Sequence, residues 1–215
     1  MPGYHAGRTP ANKGQKYPPE PLTEAEVYRL LDACPPTSPC RRRTRALIIL
    51  LWRSGLRIHE ALLLEPRDLD PSTGMVHVRR GKGGKAGYSA MDAWAFEQVD
   101  EWLRFRARYP HGPVFCVCEG PTKGERAVSA SSVRRKLKEL AREAGVAKRV
   151  HPHGFRHTLA CDLMRSGEFP LSFIQHQLRH SNPATTANYL VGLGADDSLA
   201  AVAARPAPAF AGGGE

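Results

Sequence analysis

The stretch that most constrains the fold is Ala46–Trp52, seven consecutive apolar residues between the basic cluster Arg41, Arg42, Arg43, Arg45 and the pair Ser54-Gly55. A membrane-spanning helix needs roughly 18 or more such residues, so this run is far too short to cross a bilayer. A helix that is apolar all round is instead buried on every side. The run therefore predicts a core helix over about Arg41–Arg53, enclosed by other elements, with Gly55 as a left-handed cap after its last turn.

The remaining punctuation supplies those elements. Thr23 followed three residues later by Glu26 is a capping box, and Ala25, Val27, Leu30 and Leu31 continue an amphipathic helix that Pro35, Pro36 and Pro39 end. A short helix after Gly55 carries Arg57, Glu60 and Leu62–Leu64, with Pro66 beyond it. The period then switches to two. Met75, Val76 and Val78 predict a strand, Gly81-Lys82-Gly83-Gly84-Lys85 a hairpin tip, and Tyr88 the start of a return strand. Helices are predicted over about Asp92–Arg108, Ser131–Ala144 (capped by Gly145) and His153–Ser166 (capped by Gly167), with a short strand at Val114–Cys118. Two short helices follow near Leu171–Gln177 and Pro183–Leu190. The expected fold class is mainly α with a small antiparallel β-sheet. Residues 1–21 read as a flexible N-terminal segment, rich in Pro and Gly. Residues 192–215 read as a tail with a short helix at about Ser198–Ala204 before Pro206 and Pro208.

Net charge narrows the partners. With 31 Lys and Arg against 21 Asp and Glu, the chain carries +10 and a pI near 9.7. Such a surplus suits a polyanion, nucleic acid or an acidic membrane surface. The N-terminus lacks an apolar signal core. Five cysteines, Cys34, Cys40, Cys116, Cys118 and Cys161, show neither disulfide-framework nor zinc-site spacing. The chain is therefore expected to be cytoplasmic, with reduced thiols.

Five local segments carry chemistry-bearing side chains: Gly55-Leu56-Arg57-Ile58-His59-Glu60, Gly81–Lys85, His153-Gly154-Phe155-Arg156-His157, Leu178-Arg179-His180, and Tyr189, nine residues after His180. Each alone reads equally well as surface or packing. Their order and spacing together resemble the tyrosine recombinase/phage integrase family of lambda-integrase and Xer type, over about residues 22–190. Thr23-Glu24-Ala25-Glu26 resembles the family's opening helix cap, His153 through Thr158 its second catalytic box, and His180-Ser181 through Thr185-Thr186 and Tyr189 its last. The resemblance implies the family's catalytic fold over residues 22–191. It also implies site-specific cleavage and rejoining of DNA through a 3′-phosphotyrosyl link to Tyr189, without metal, ATP or other cofactor. The implied catalytic set is Arg57, Lys82, His153, Arg156, His180 and Tyr189, supported by Glu60.

The chemistry makes sense of these residue types. Cutting a phosphodiester needs an attacking oxygen, relief of charge on the phosphate and a proton for the leaving oxygen. Free tyrosine ionises only near pH 10, so its phenol needs help at neutral pH. Arg57 and Arg156 each offer a planar fork of donors to the non-bridging oxygens, contacts that strengthen as charge builds in the transition state. His153 and Arg156, three residues apart, share a helix face. Lys82 is placed to protonate the leaving 5′ oxygen, with Lys85 as the other lysine of the tip. By the resemblance, His153 assists proton transfer and His180 hydrogen-bonds the scissile phosphate. No carboxylate cluster of the two-metal kind and no P-loop is present.

Beyond the site, Arg41, Arg42, Arg43, Arg45 and Lys85, and the group Arg134, Arg135, Lys136 and Lys138, are candidate DNA contacts, whose binding would weaken with salt. His59, His151, His157 and His176 are expected to stay outside catalysis, His157 as a packed neighbour. Arg179 stands where relatives commonly have Gly, and Ala86–Met91 departs from the family's alternating return strand. Relatives carry an N-terminal DNA-clamping domain, whereas 21 residues precede the core here. The expected partners are double-stranded DNA and further copies of the chain, a tetramer on DNA from monomers in solution, with no membrane. Two other readings remain open: a type IB topoisomerase-like relaxing enzyme, which would act as a monomer, and a DNA-binding accessory protein with little catalysis.

Overall fold

The computed structural model describes residues 20–79 and 86–179. The expectations placed on Lys82, Lys85, His180, Tyr189 and the two tails lie outside these described residues. In chain order the elements are α1 (Glu24–Asp32), α2 (Pro39–Ser54), α3 (Ile58–Ala61), a single 3-10 turn (Pro66–Asp68), β1 (Leu69–Asp70), β2 (Met75–Val78), β3 (Gly87–Ala90), α4 (Ala93–Arg106), α5 (Ala130–Glu143), α6 (Pro152–Ser166) and α7 (Leu171–Gln177).

α2 is the buried axis. Every residue from Ala46 to Trp52 is at most 2% exposed, and the helix packs against both α4 and α6. Pro39 begins this helix instead of ending the previous one. Ser38 caps it by accepting from Arg41 N at 3.3 Å, and proline at the first position costs no hydrogen bond because that N–H has no partner in the helix. The Thr23–Glu26 capping box forms as expected, at 3.2 and 2.7 Å. α5 buries Val133, Leu137, Leu140 and Ala141 and turns Arg134, Arg135 and Lys138 outward.

The sheet is antiparallel in the order β1-β2-β3, with Val76 opposite Ser89 and Val78 opposite Gly87. Alternation sends Val76, Val78 and Ser89 inward, while Met75 and Tyr88 face out. β1, only two residues long, adds a strand that periodicity could not reveal. The strand expected at Val114–Cys118 reduces to one bridge, Cys116 to Ala127. Two of its carbonyls accept from side chains, Val114 O from Trp102 Nε1 and Cys116 O from Arg43 Nη1, both at 2.9 Å, while Phe115 O and Val117 O accept from the backbone of Val128 and Gly124.

A polar latch joins the sheet to the helices. Gln177, at the end of α7, exchanges hydrogen bonds with the Ala90 backbone at 3.0 and 2.7 Å and donates to Ser54 O at 3.2 Å. Ser89 Oγ also donates to Ser54 O, at 2.7 Å. The C-terminal end of α2, the return strand and α7 therefore meet at one buried point, directly before Gly55.

Candidate active site

The site grows from the turn after α2. Gly55 takes the left-handed conformation (φ +68°), and a Cβ there would lie 2.9 Å from Leu159 Cδ2 and 3.0 Å from Leu178 Cδ2. Only glycine satisfies both the backbone and the packing. Two residues later Arg57 caps α3 in an extended conformation. Its backbone N–H donates to Glu60 Oε2 at 2.9 Å and its Nη1 to Glu60 Oε1 at 3.1 Å. Glu60 thus holds Arg57 at both ends. The carboxylate is 4% exposed while the guanidinium keeps 30%, so the charge of Arg57 is oriented from beneath and open above.

Arg156 arrives from α6 and is 1% exposed. Its Nη1 donates to Gly55 O at 2.6 Å, and its Nη2 donates to Leu178 O. A buried guanidinium requires such acceptors. Here they are the carbonyls that end α2 and α7, so one side chain locks both chain ends around itself. Gly55 O lies 101 residues away in sequence, yet this bond brings the second arginine beside the turn that carries the first.

His153 sits one turn before Arg156 on the same helix and remains exposed. Partial desolvation, then the charges of Arg156 and Arg57, push its pKa below the ordinary histidine value. That both arginines act on one imidazole places the three groups in a common field. The shift favours the neutral ring, which can donate from one nitrogen and accept at the other.

The other histidines divide among a helix cap, a packed position and the solvent-exposed surface. His151 caps α6, accepting from Gly154 N through Nδ1 at 3.2 Å. His157 is buried, and desolvation followed by the neighbouring His153 and His151 lowers its pKa to about 4. His59 and His176 are exposed. All five cysteines are free thiols.

The two basic clusters divide. Arg41 and Arg45 donate to the α1-terminal carbonyls of Ala33 and Leu31, both at 2.6 Å. Arg43 holds Cys116 O, and Arg42 pairs with Glu101 at 3.2 Å. These four arginines are pins between helices and loops, a role that a run of charge does not reveal. On α5, Lys136 lies between Glu139 and Glu143 and Arg135 lies 4.0 Å from Glu139, whereas Arg134 and Lys138 are exposed. The charge of Arg134 also depresses the pKa of His151, as does that of Arg149, after desolvation. Both cations therefore lie near the start of α6, and Arg149 is one that sequence reasoning missed. It also missed Gln177 and Ser54, whose latch leaves no periodic signal.

The sequence matches the phage integrase family over residues 20–192. The chain belongs to that family. Among its relatives, tyrosine recombinase XerC of Xanthomonas campestris pv. campestris is 35% identical over 179 residues, covering 83% of this chain and 53% of the relative. The crystal structure of XerA recombinase superposes with a TM-score of 0.75 at 27% identity, covering 94% of this chain and 70% of XerA. The XerH site-specific recombinase, in a post-cleavage complex with a palindromic difH substrate, shares the fold with a TM-score of 0.71 at 24% identity, covering 87% of this chain and 54% of XerH. The mainly helical fold with its three-stranded sheet is that of a tyrosine recombinase catalytic domain. The chain spans about half the length of the XerC it matches. Within this integrase-family fold, Arg57, Glu60, His153 and Arg156 converge at one site, and no helix among the described residues is long and apolar enough to cross a membrane.

Proposed function

We propose that this integrase-family chain cleaves and rejoins double-stranded DNA as a site-specific recombinase, with Tyr189 as nucleophile. The observation that carries the reading is the meeting of Arg57 and Arg156. Two guanidiniums from segments far apart in the chain act on one imidazole whose pKa they lower, with the buried carboxylate of Glu60 set behind Arg57. Such a surplus of fixed positive charge suits a phosphodiester, whose negative charge grows in the transition state.

In this reading the Tyr189 oxygen attacks the phosphorus and gives up its proton, which His153 helps to move. Arg57, Arg156 and His180 hold the non-bridging oxygens. The bond to the 5′ oxygen breaks, and Lys82 protonates that oxygen. The product is a 3′-phosphotyrosyl enzyme and a free 5′-hydroxyl. Attack by another 5′-hydroxyl reverses the step on a new partner, and the phosphotyrosyl link conserves the energy of the broken bond. The exposed Arg134 and Lys138 of α5, together with Arg149, supply a backbone grip near α6, and pairing of two DNA sites uses four copies of the chain.

The test is covalent trapping on nicked suicide substrates drawn from a pool of sequences, followed by denaturation. A protein–DNA band with wild type that vanishes in Tyr189→Phe is the expected result. A band that survives Tyr189→Phe refutes the assignment of the nucleophile.

A further inference from the structure

Arg179 takes φ +51°, the positive-φ residue among the described residues that is not glycine. A side-chain-bearing residue adopts this conformation only when its surroundings hold it there. Those surroundings are specific. Arg179 Nη1 lies 3.5 Å from Glu60 Oε1, the same oxygen that accepts from Arg57. The Nε–Nη2 edge of the guanidinium closes on the first residue of β3: a Cβ on Gly87 would be 3.2 Å from Nε, 3.6 Å from Nη2 and 3.7 Å from Cζ. The side chain is only 14% exposed, which sets it apart from a solvated surface arginine. The preceding carbonyl, Leu178 O, is the one held by Arg156. Consecutive residues therefore engage the two arginines of the site, Leu178 directly and Arg179 through Glu60.

We infer that Arg179 is a positioning residue for strand cleavage: it ties the carboxylate that orients Arg57 to the first residue of β3, and the left-handed backbone is what this tie requires. Glycine would meet the backbone need more easily, so the arginine is retained for its guanidinium. The planar fork matters, because its Nη1 end faces the carboxylate while its Nε–Nη2 edge closes on Gly87, and a lysine ammonium offers a point charge without that second edge. The inference rests on the proposed DNA cleavage at this site for its functional consequence, but not for the tie itself.

The experiment compares R179G, R179K and the double variant R179G/E60Q with wild type in single-turnover covalent trapping, alongside DNA affinity, urea unfolding and amide hydrogen exchange of residues 88–90. R179G is expected to change the urea midpoint little, since relief of the left-handed backbone is offset by loss of the ion pair to Glu60 and by the freer unfolded chain. It should keep its DNA affinity and cleave roughly 10–100-fold more slowly, the scale of a misplaced catalytic group. R179K should recover part of the rate at most. Adding R179G to E60Q should cost little further rate, because both remove the same tie. Hydrogen exchange at residues 88–90 should quicken in R179G and in E60Q alike. Wild-type cleavage by R179G, a rate loss matched by an equal loss of DNA affinity, or fully additive effects with E60Q would each overturn the inference. If wild type forms no covalent complex, the proposed function is at fault, and the exchange measurement still decides the tie: unchanged exchange in R179G refutes it.

Discussion

Substituting Gly55 by alanine tests the hub of the site. Two costs add. The left-handed backbone (φ +68°) penalises any Cβ by roughly 1–2 kcal/mol. The new methyl would also lie 2.9 Å from Leu159 Cδ2 and 3.0 Å from Leu178 Cδ2, and relieving that overlap in a packed interior costs about 1–3 kcal/mol. Gly145 and Gly167 are internal controls. Both cap helices at positive φ, +62° and +68°, but a Cβ there meets nothing within 4 Å, so alanine incurs the backbone cost alone. Urea unfolding followed by tryptophan fluorescence should place Gly55→Ala about 3 kcal/mol below wild type and the controls about 1 kcal/mol below. With a slope of about 2 kcal/mol per molar urea, the midpoints fall by roughly 1.5 M and 0.5 M. Because Gly55 O holds Arg156 Nη1, cleavage should drop in Gly55→Ala alone, under conditions where all three variants are folded. Equal midpoint shifts for Gly55→Ala and Gly145→Ala would refute the argument that packing against Leu159 and Leu178 makes glycine obligatory.

Other outcomes follow from the same structure. Glu60→Gln should cost about 2 kcal/mol, since Arg57 and Arg179 lose a shared buried acceptor charge, and should slow cleavage more than it weakens DNA binding; unchanged cleavage counts against Glu60 as the support of Arg57. His157 has its folded pKa lowered to about 4, so between pH 4 and 6.5 the unfolded chain binds more protons and stability falls as pH falls. The loss amounts to at most about 3 kcal/mol, and His157→Asn should flatten that part of the profile of unfolding free energy against pH; an equally steep profile in the variant would remove His157 as the cause. Arg106, 3% exposed, donates to the carbonyls of Pro113 at 3.0 Å, Pro110 at 2.9 Å and Gly124 at 3.1 Å. Arg106→Met should therefore destabilise by about 3 kcal/mol through stranded carbonyls, readable as a drop in Tm with the site chemistry otherwise intact. Arg57→Ala and Arg156→Ala should both abolish covalent complex formation, and full cleavage by either removes it from the active set.

Much of this protein is local and was legible as such. The Thr23–Glu26 cap, the apolar run Ala46–Trp52, Gly55 as a left-handed stop, the alternating Val76 and Val78, and the caps at Gly145 and Gly167 depend on residues a few positions apart, so periodicity and turn chemistry reveal them. The residue types and order of Arg57, Glu60, His153 and Arg156 were legible for the same reason, as was the packed role of His157. What the tertiary structure decided is how those segments meet. Arg156 finds its acceptors at Gly55 and Leu178, and Gln177 latches onto Ser54 and Ala90. Arg43 reaches across from α2 to hold Cys116 O, in a segment where periodicity suggested a longer strand and the structure keeps one bridge. A basic run beside a helix start reads as a DNA grip, yet Arg41 and Arg45 satisfy the carbonyls that end α1. Such contacts join groups far apart in the chain, and a buried donor is satisfied by whichever acceptor folding brings within 3 Å. That choice is written in three dimensions, and no local pattern carries it.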